Sequence, residues 1–162
     1  VKSSSKAAIA GAFVLAALSH GIPSPAALLA SRSPAAAISF ARSQIGCPYV
    51  WGGTGPCGSG YDCSGLVMDA WAAAGVTIPR TSQQQWAELP HAATPRRGYL
   101  VFFAGGDGTP SAPGHVGLVI GPHLMIEAYA PGYPVRIATF GLPGSPPGDG
   151  SPVGFADPGA LS

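Results

Sequence analysis

Charge is scarce in this chain: 9% of its 162 residues are Asp, Glu, Lys or Arg, and the formal net charge is +1. Lys2 and Lys6 are the two lysines, and from Ser31 onward six arginines face seven acidic residues, so the body of the chain is nearly neutral. That balance argues against a nucleic-acid partner, because neutralising phosphates takes clustered cations with aromatic platforms beside them. Long apolar runs are missing too. The run at residues 7–18 has 12 residues, which rise about 18 Å as a helix against a hydrocarbon core of about 30 Å. No internal repeat is present, which excludes a solenoid or propeller. Of three cysteines, one is left over after any disulfide.

Glycine and proline are plentiful, at 24 and 18 residues, and predict a fold with many turns. The length suits one domain with its own core. Its first thirty residues read differently. Lys2 and Lys6 precede the apolar run, and a tract of small residues and prolines follows through Pro34. Residues 1–30 are therefore read as a secretory signal peptide or membrane anchor with a linker, and 31–162 as the folded domain. The short run, the small residues from Ala26 to Ser31 and the interruptions at Pro23 and Pro25 favour cleavage over retention. Transient membrane association through residues 7–18 remains the alternative.

Ser33-Pro34 is a cap followed by proline at the first helical position, and Ile38, Ala41 and Ile45 repeat at helical spacing before Gly46. Leu66, Val67, Ala70, Trp71 and Ala74 form a second apolar stripe, capped by Asp62 and ended by Gly75. Ser82 with Gln85 reads as a capping box for a short third helix. Residues 98–103, 115–120, 124–129 and 134–138 are short, β-branched or aromatic segments between turns, hence antiparallel strands. Helices first and strands after predict an α+β domain, its N-terminal helices packed on a small antiparallel sheet. Residues 141–154 are read as irregular.

The second helix carries the chemistry. Its first turn holds Cys63, where unpaired backbone N–H groups and the helix dipole favour a thiolate and can hold a developing oxyanion. Taken alone, a cysteine in an apolar helix is a small buried hydrophobe. His115 and Glu127 change that reading. A hairpin turning near residue 121 brings them opposite each other or within one or two positions, and Gly117 leaves room beside the imidazole for the helix bearing Cys63. A carboxylate in so apolar a strand needs a partner, and His115 supplies one. The three make a thiol, a base and an orienting carboxylate. Cys47 and Cys57 bracket a nine-residue loop and can oxidise into a staple in an exported protein; two reduced structural cysteines, or a zinc site from Cys57, Cys63 and His115, are the alternatives, the latter with spacing that fits no compact tetrahedral pattern.

Tyr49-Val50-Trp51-Gly52-Gly53, Asp62-Cys63-Ser64-Gly65-Leu66, Pro79-Arg80-Thr81-Ser82, Leu100-Val101-Phe102-Phe103 and His115-Val116-Gly117 stand in the order found in the NlpC/P60 family of papain-like cell-wall peptidases. The chain resembles that family from about residue 34 to 157, and in particular its mycobacterial and actinobacterial Rip-type endopeptidases. The resemblance implies a papain-like fold, Cys63 as nucleophile, His115 as base and Glu127 in the third position. It also implies that Tyr49, with backbone N–H groups at Cys63 and Ser64, positions substrate or oxyanion. Trp51, Asp62, Arg80, Ser82 and Gln85 fall in segments bordering the family's groove, though Ser82 and Gln85 also suit a helix cap. Tyr99 departs from the aspartate usual there. By resemblance the substrate is the peptidoglycan stem peptide, cut between D-glutamate and meso-diaminopimelate, with no cofactor and no metal. The expected setting is a bacterial wall, reached by a monomer that is secreted, wall-associated or membrane-anchored. An amidase or transferase acting on another amide, or a non-catalytic wall-binding protein, would share the same motifs.

Overall fold

The apolar stripe around Leu66 and Trp71 becomes the helix against which the rest of the domain is arranged. The computed structural model describes residues 32–106, 108–143 and 151–161; the segment read as signal or anchor lies outside them. Helix α1 spans Pro34–Ser43, with Ser33 as N-cap and Pro34 in its first turn. Helix α2 spans Cys63–Ala73, capped by the Asp62 side chain, which accepts from the Gly65 N–H. Helix α3 spans Ser82–Glu88. Its capping box is formed by Thr81 and Gln84, one residue earlier than the expected Ser82 and Gln85. The shift has a packing cause: Ser82 and Gln85 are buried, and Gln85 spends its amide on backbone elsewhere.

Strands β1 (His91–Ala92), β2 (Leu100–Phe103), β3 (His115–Gly121), β4 (Leu124–Glu127), β5 (Arg136–Thr139) and β6 (Gly154–Ala156) form one sheet in the order β1-β6-β2-β3-β4-β5. Its described pairings are antiparallel. The expected α+β arrangement is present, with α1 packed on α2 and α2 on β3. Of the tail expected to be irregular, residues 144–150 lie outside the described ones, 141–143 and 151–153 are irregular, and Gly154 begins β6, whose Ala156 pairs with both Leu100 and His91.

Alternation along β2 assigns the two faces. Leu100 and Phe102 join Leu66, Ala70, Trp71, Val116 and Leu118 on the helix side, while Val101 and Phe103 join Val119, Met125, Ala138 and Phe140 on the other. Strand β3 is buried along its whole length, as its nearly continuous apolar sequence requires of a strand covered on both faces. The indole N–H of Trp71, fully buried, donates to the Gly98 carbonyl at 3.2 Å and so fixes α2 to the turn entering β2.

Candidate active site

Two features hold the N-terminus of α2 in place. Gly65 packs so tightly that a Cβ there would run into the Gly53 carbonyl oxygen, which explains a glycine two residues after Cys63. Asp62 does the rest. Its Oδ1 accepts from Gly65 N at 2.7 Å, Ser64 Oγ at 3.3 Å and Arg80 Nη1 at 3.1 Å, and its Oδ2 accepts from Gly52 N at 3.0 Å and Arg80 Nη2 at 2.6 Å. One carboxylate thus ties the helix end, the Trp51-Gly52 turn and the segment after Pro79 together. Arg80 also donates to Ser64 Oγ at 2.9 Å. The bond to Asp62 raises the guanidinium pKa against the opposing effect of burial.

Cys63 is a free, half-buried thiol. Cys47 and Cys57 are joined in a disulfide, their Cα atoms 5.0 Å apart, which removes Cys57 from the zinc set considered above and closes the loop carrying Tyr49 and Trp51. Tyr49 lines the cleft beside Cys63. Burial, with the negative charges of Cys63 and Asp62 adding to it, pushes its hydroxyl up to about 12, so the group stays a hydrogen-bond donor. Trp51 stands at the rim, 85% exposed.

The β3–β4 hairpin sets Leu118 opposite Ile126 and Val119 opposite Met125, with a shift in register before Gly121. Glu127 then reaches His115 along a diagonal: Nε2 of His115 lies 2.8 Å from Oε2 of Glu127, a carboxylate with no exposed surface. The space beside Gly117 belongs to Met125, whose sulfur would sit 2.6 Å from a Cβ there, and not to the helix bearing Cys63. That helix meets His115 from its end. The Cys63 thiol interacts with the imidazole, whose Nε2 is paired with Glu127. Burial opposes charge on this ring, but the hydrogen bonds to Cys63 and Glu127, and the negative charge of both, override it and push His115 up to about 10.

Two lobes of a cleft, of about 410 and 270 Å³, meet at Cys63 and share Tyr49, Trp51 and Gly114. Arg80 and Ser82 border the larger lobe; His115 and Tyr129 border the smaller. Gln85 is in neither wall. It lies fully buried beneath, its Nε2 donating to the carbonyls of Ser64 at 3.1 Å and Pro79 at 2.8 Å. The sequence reading missed Arg136, which donates to Oε1 of Glu127 from Nε at 2.9 Å and Nη2 at 2.7 Å. The signal for it was present but faint: a lone arginine in the strand that follows the one carrying Glu127.

The NlpC/P60 family model matches residues 46–140, more than half the chain. The peptidoglycan endopeptidase RipB of Mycobacterium tuberculosis is 39% identical over 127 residues, covering 65% of this chain and 51% of that protein. The bifunctional muramidase/DL-endopeptidase CwlT of Bacillus subtilis is 43% identical over 90 residues, covering 51% and 25%. An NlpC/P60 family protein of known structure from Bacillus cereus superposes with a TM-score of 0.67 at 28% identity, over 77% of this chain and 40% of that one. RipB superposes with a TM-score of 0.62 at 29% identity, over 83% and 67%. The sequence matches take in a quarter of CwlT and about half of RipB.

Proposed function

This chain belongs to the NlpC/P60 family, and from that footing we infer that it is a cysteine endopeptidase of peptidoglycan, hydrolysing the stem peptide between D-glutamate and meso-diaminopimelate. The observation that carries the reading is the buried His115–Glu127 pair with the Cys63 thiol interacting with the same imidazole at the start of α2. Membership supplies the reaction class, and the descriptions of RipB and CwlT as endopeptidases, the latter a DL-endopeptidase, support the substrate. The apolar N-terminal run and the Cys47–Cys57 disulfide support an exported domain that meets its substrate in the wall.

In this mechanism the Cys63 thiolate attacks the scissile carbonyl carbon, while the Tyr49 hydroxyl and the N–H groups of Cys63 and Ser64, which the helix ladder does not use, receive the oxyanion. Protonated His115 gives its Nδ1 proton to the leaving amine nitrogen. A thioester remains on Cys63. Neutral His115 then takes a proton from water, whose oxygen attacks the thioester and returns the thiolate. Glu127 accepts from Nε2–H throughout and so fixes the tautomer.

Purified stem peptides of defined sequence provide the test, read by product mass. The native chain is expected to yield two fragments from one cut, and Cys63→Ala to lose about 1000-fold or more in rate with an unchanged melting profile. Undiminished release by Cys63→Ala would sink the mechanism; a transferred group, or a cut at a different amide, would replace the stated bond.

A further inference from the structure

Glu127 has no exposed surface, yet it faces two groups: Oε2 meets His115 Nε2, and Oε1 takes two hydrogen bonds from Arg136. The two residues lie directly opposite each other in the β4–β5 register. The guanidinium carbon in turn sits 4.6 Å from the centre of the Tyr129 ring and 5.0 Å from that of Tyr133, and these rings meet edge to face at 5.5 Å. Such a seat restrains a side chain that projects from an edge strand and is 25% exposed. As a source of stability the arrangement is a poor bargain, because a buried ion pair is often no better than apolar side chains of the same volume. Its value lies in what it forbids. A buried carboxylate facing only an imidazole takes up a proton readily; one whose second oxygen is saturated by a guanidinium does not.

We propose that Arg136 is a positioning residue for the triad: seated over Tyr129 and Tyr133, it holds the Glu127 carboxylate with one oxygen aimed at His115 Nε2, and thereby promotes the reactivity of the Cys63 thiol beside that ring. The other titratable or charged groups around the triad are Tyr129 and Tyr133 on the sheet side, Tyr49 on the stapled loop and the Asp62–Arg80 pair at the helix end. Among the described residues, the Glu127 carboxylate is hydrogen-bonded by His115 and Arg136. An amide bond to be cleaved never touches Arg136 in this scheme. The residue acts through Glu127.

The proposal rests on Cys63 being the reactive thiol of the proposed endopeptidase, but it is tested without substrate. Iodoacetamide alkylation of the full chain, followed by mass, reports Cys63 alone, since Cys47 and Cys57 are paired. In Arg136→Met the midpoint of alkylation against pH is expected to rise by about one unit, a loss of about tenfold in rate below both midpoints. Arg136→Lys, which keeps the charge but not the fork, should recover more than half of that shift. Tyr133→Leu, at an exposed position, should move the midpoint in the same direction by less. Unmoved midpoints in Arg136→Met and Tyr133→Leu, or in Tyr133→Leu alone should Arg136→Met not fold, overturn the proposal. Failure of the native chain to cut stem peptides would instead sink the substrate reading and leave the alkylation result to stand by itself.

Discussion

His115 is 7% exposed, paired through Nε2 with Glu127 and interacting with the Cys63 thiol, so its charge answers to two neighbours more than to solvent. A group whose pKa rises from 6.5 to about 10 on folding binds a proton more tightly when folded. The stability it contributes is complete below the unfolded value and is lost as pH climbs through the folded one. Melting temperature measured from pH 6 to 10.5 should therefore fall more for the native chain than for His115→Gln, the difference opening above pH 6.5. Activity should lose its alkaline limb near the same folded value, because the leaving amine then lacks its proton donor; in Glu127→Gln, without the carboxylate, that limb should move to lower pH. Cys63, His115 and Glu127 were legible in sequence because each breaks a pattern: a thiol at a helix start, a histidine and a carboxylate in apolar strands. Arg136 was not. An arginine in a short strand reads as a solvated edge, and only the register opposite Glu127 gives it a partner.

Among the elements, α2 was the most readable, since its apolar stripe, its Asp62 cap and its terminal glycine agree. Strands β1 and β6 were unreadable for a physical reason. They have two and three residues, too few for a period, and exist because residues 91 and 100 converge on 156 from far along the chain. The third helix began one residue early because a threonine and a serine stand side by side and burial, not capping strength, chose between them. Trp71 carries the attachment of α2 to the sheet: Trp71→Ala should cost about 3–5 kcal/mol in denaturant unfolding, with activity falling in step with the fraction folded. The stapled loop behaves differently. Replacing Cys47 and Cys57 together by serine should cost about 2–4 kcal/mol and also lower kcat/KM under conditions where the variant is fully folded, since Tyr49 loses its restraint beside Cys63. A variant that loses stability alone would show that the staple does not position Tyr49.

Taken whole, the molecule puts its helices on one face of a sheet and gathers a second apolar cluster of Val101, Phe103, Val119, Met125, Ala138 and Phe140 on the other, and the reactive groups gather at one end of it. The class of this architecture followed from helices preceding strands. The path of the cleft did not, because it depends on how the stapled loop, the turn before His115 and the segment after Glu127 come together in space. That path has a geometric corollary. A cleft with a lobe on either side of Cys63 accepts a strand passing through it, with no need to grip a terminus. Stem peptides blocked at both ends, or still joined to glycan and to a neighbouring stem, should be cut within about tenfold of the rate for free ones, and a loss beyond that would mean one lobe is a dead end. Under the proposed function, in a woven wall whose threads are tied at both extremities, such a blade would open individual knots in the interior of the fabric with no free margin needed to start from.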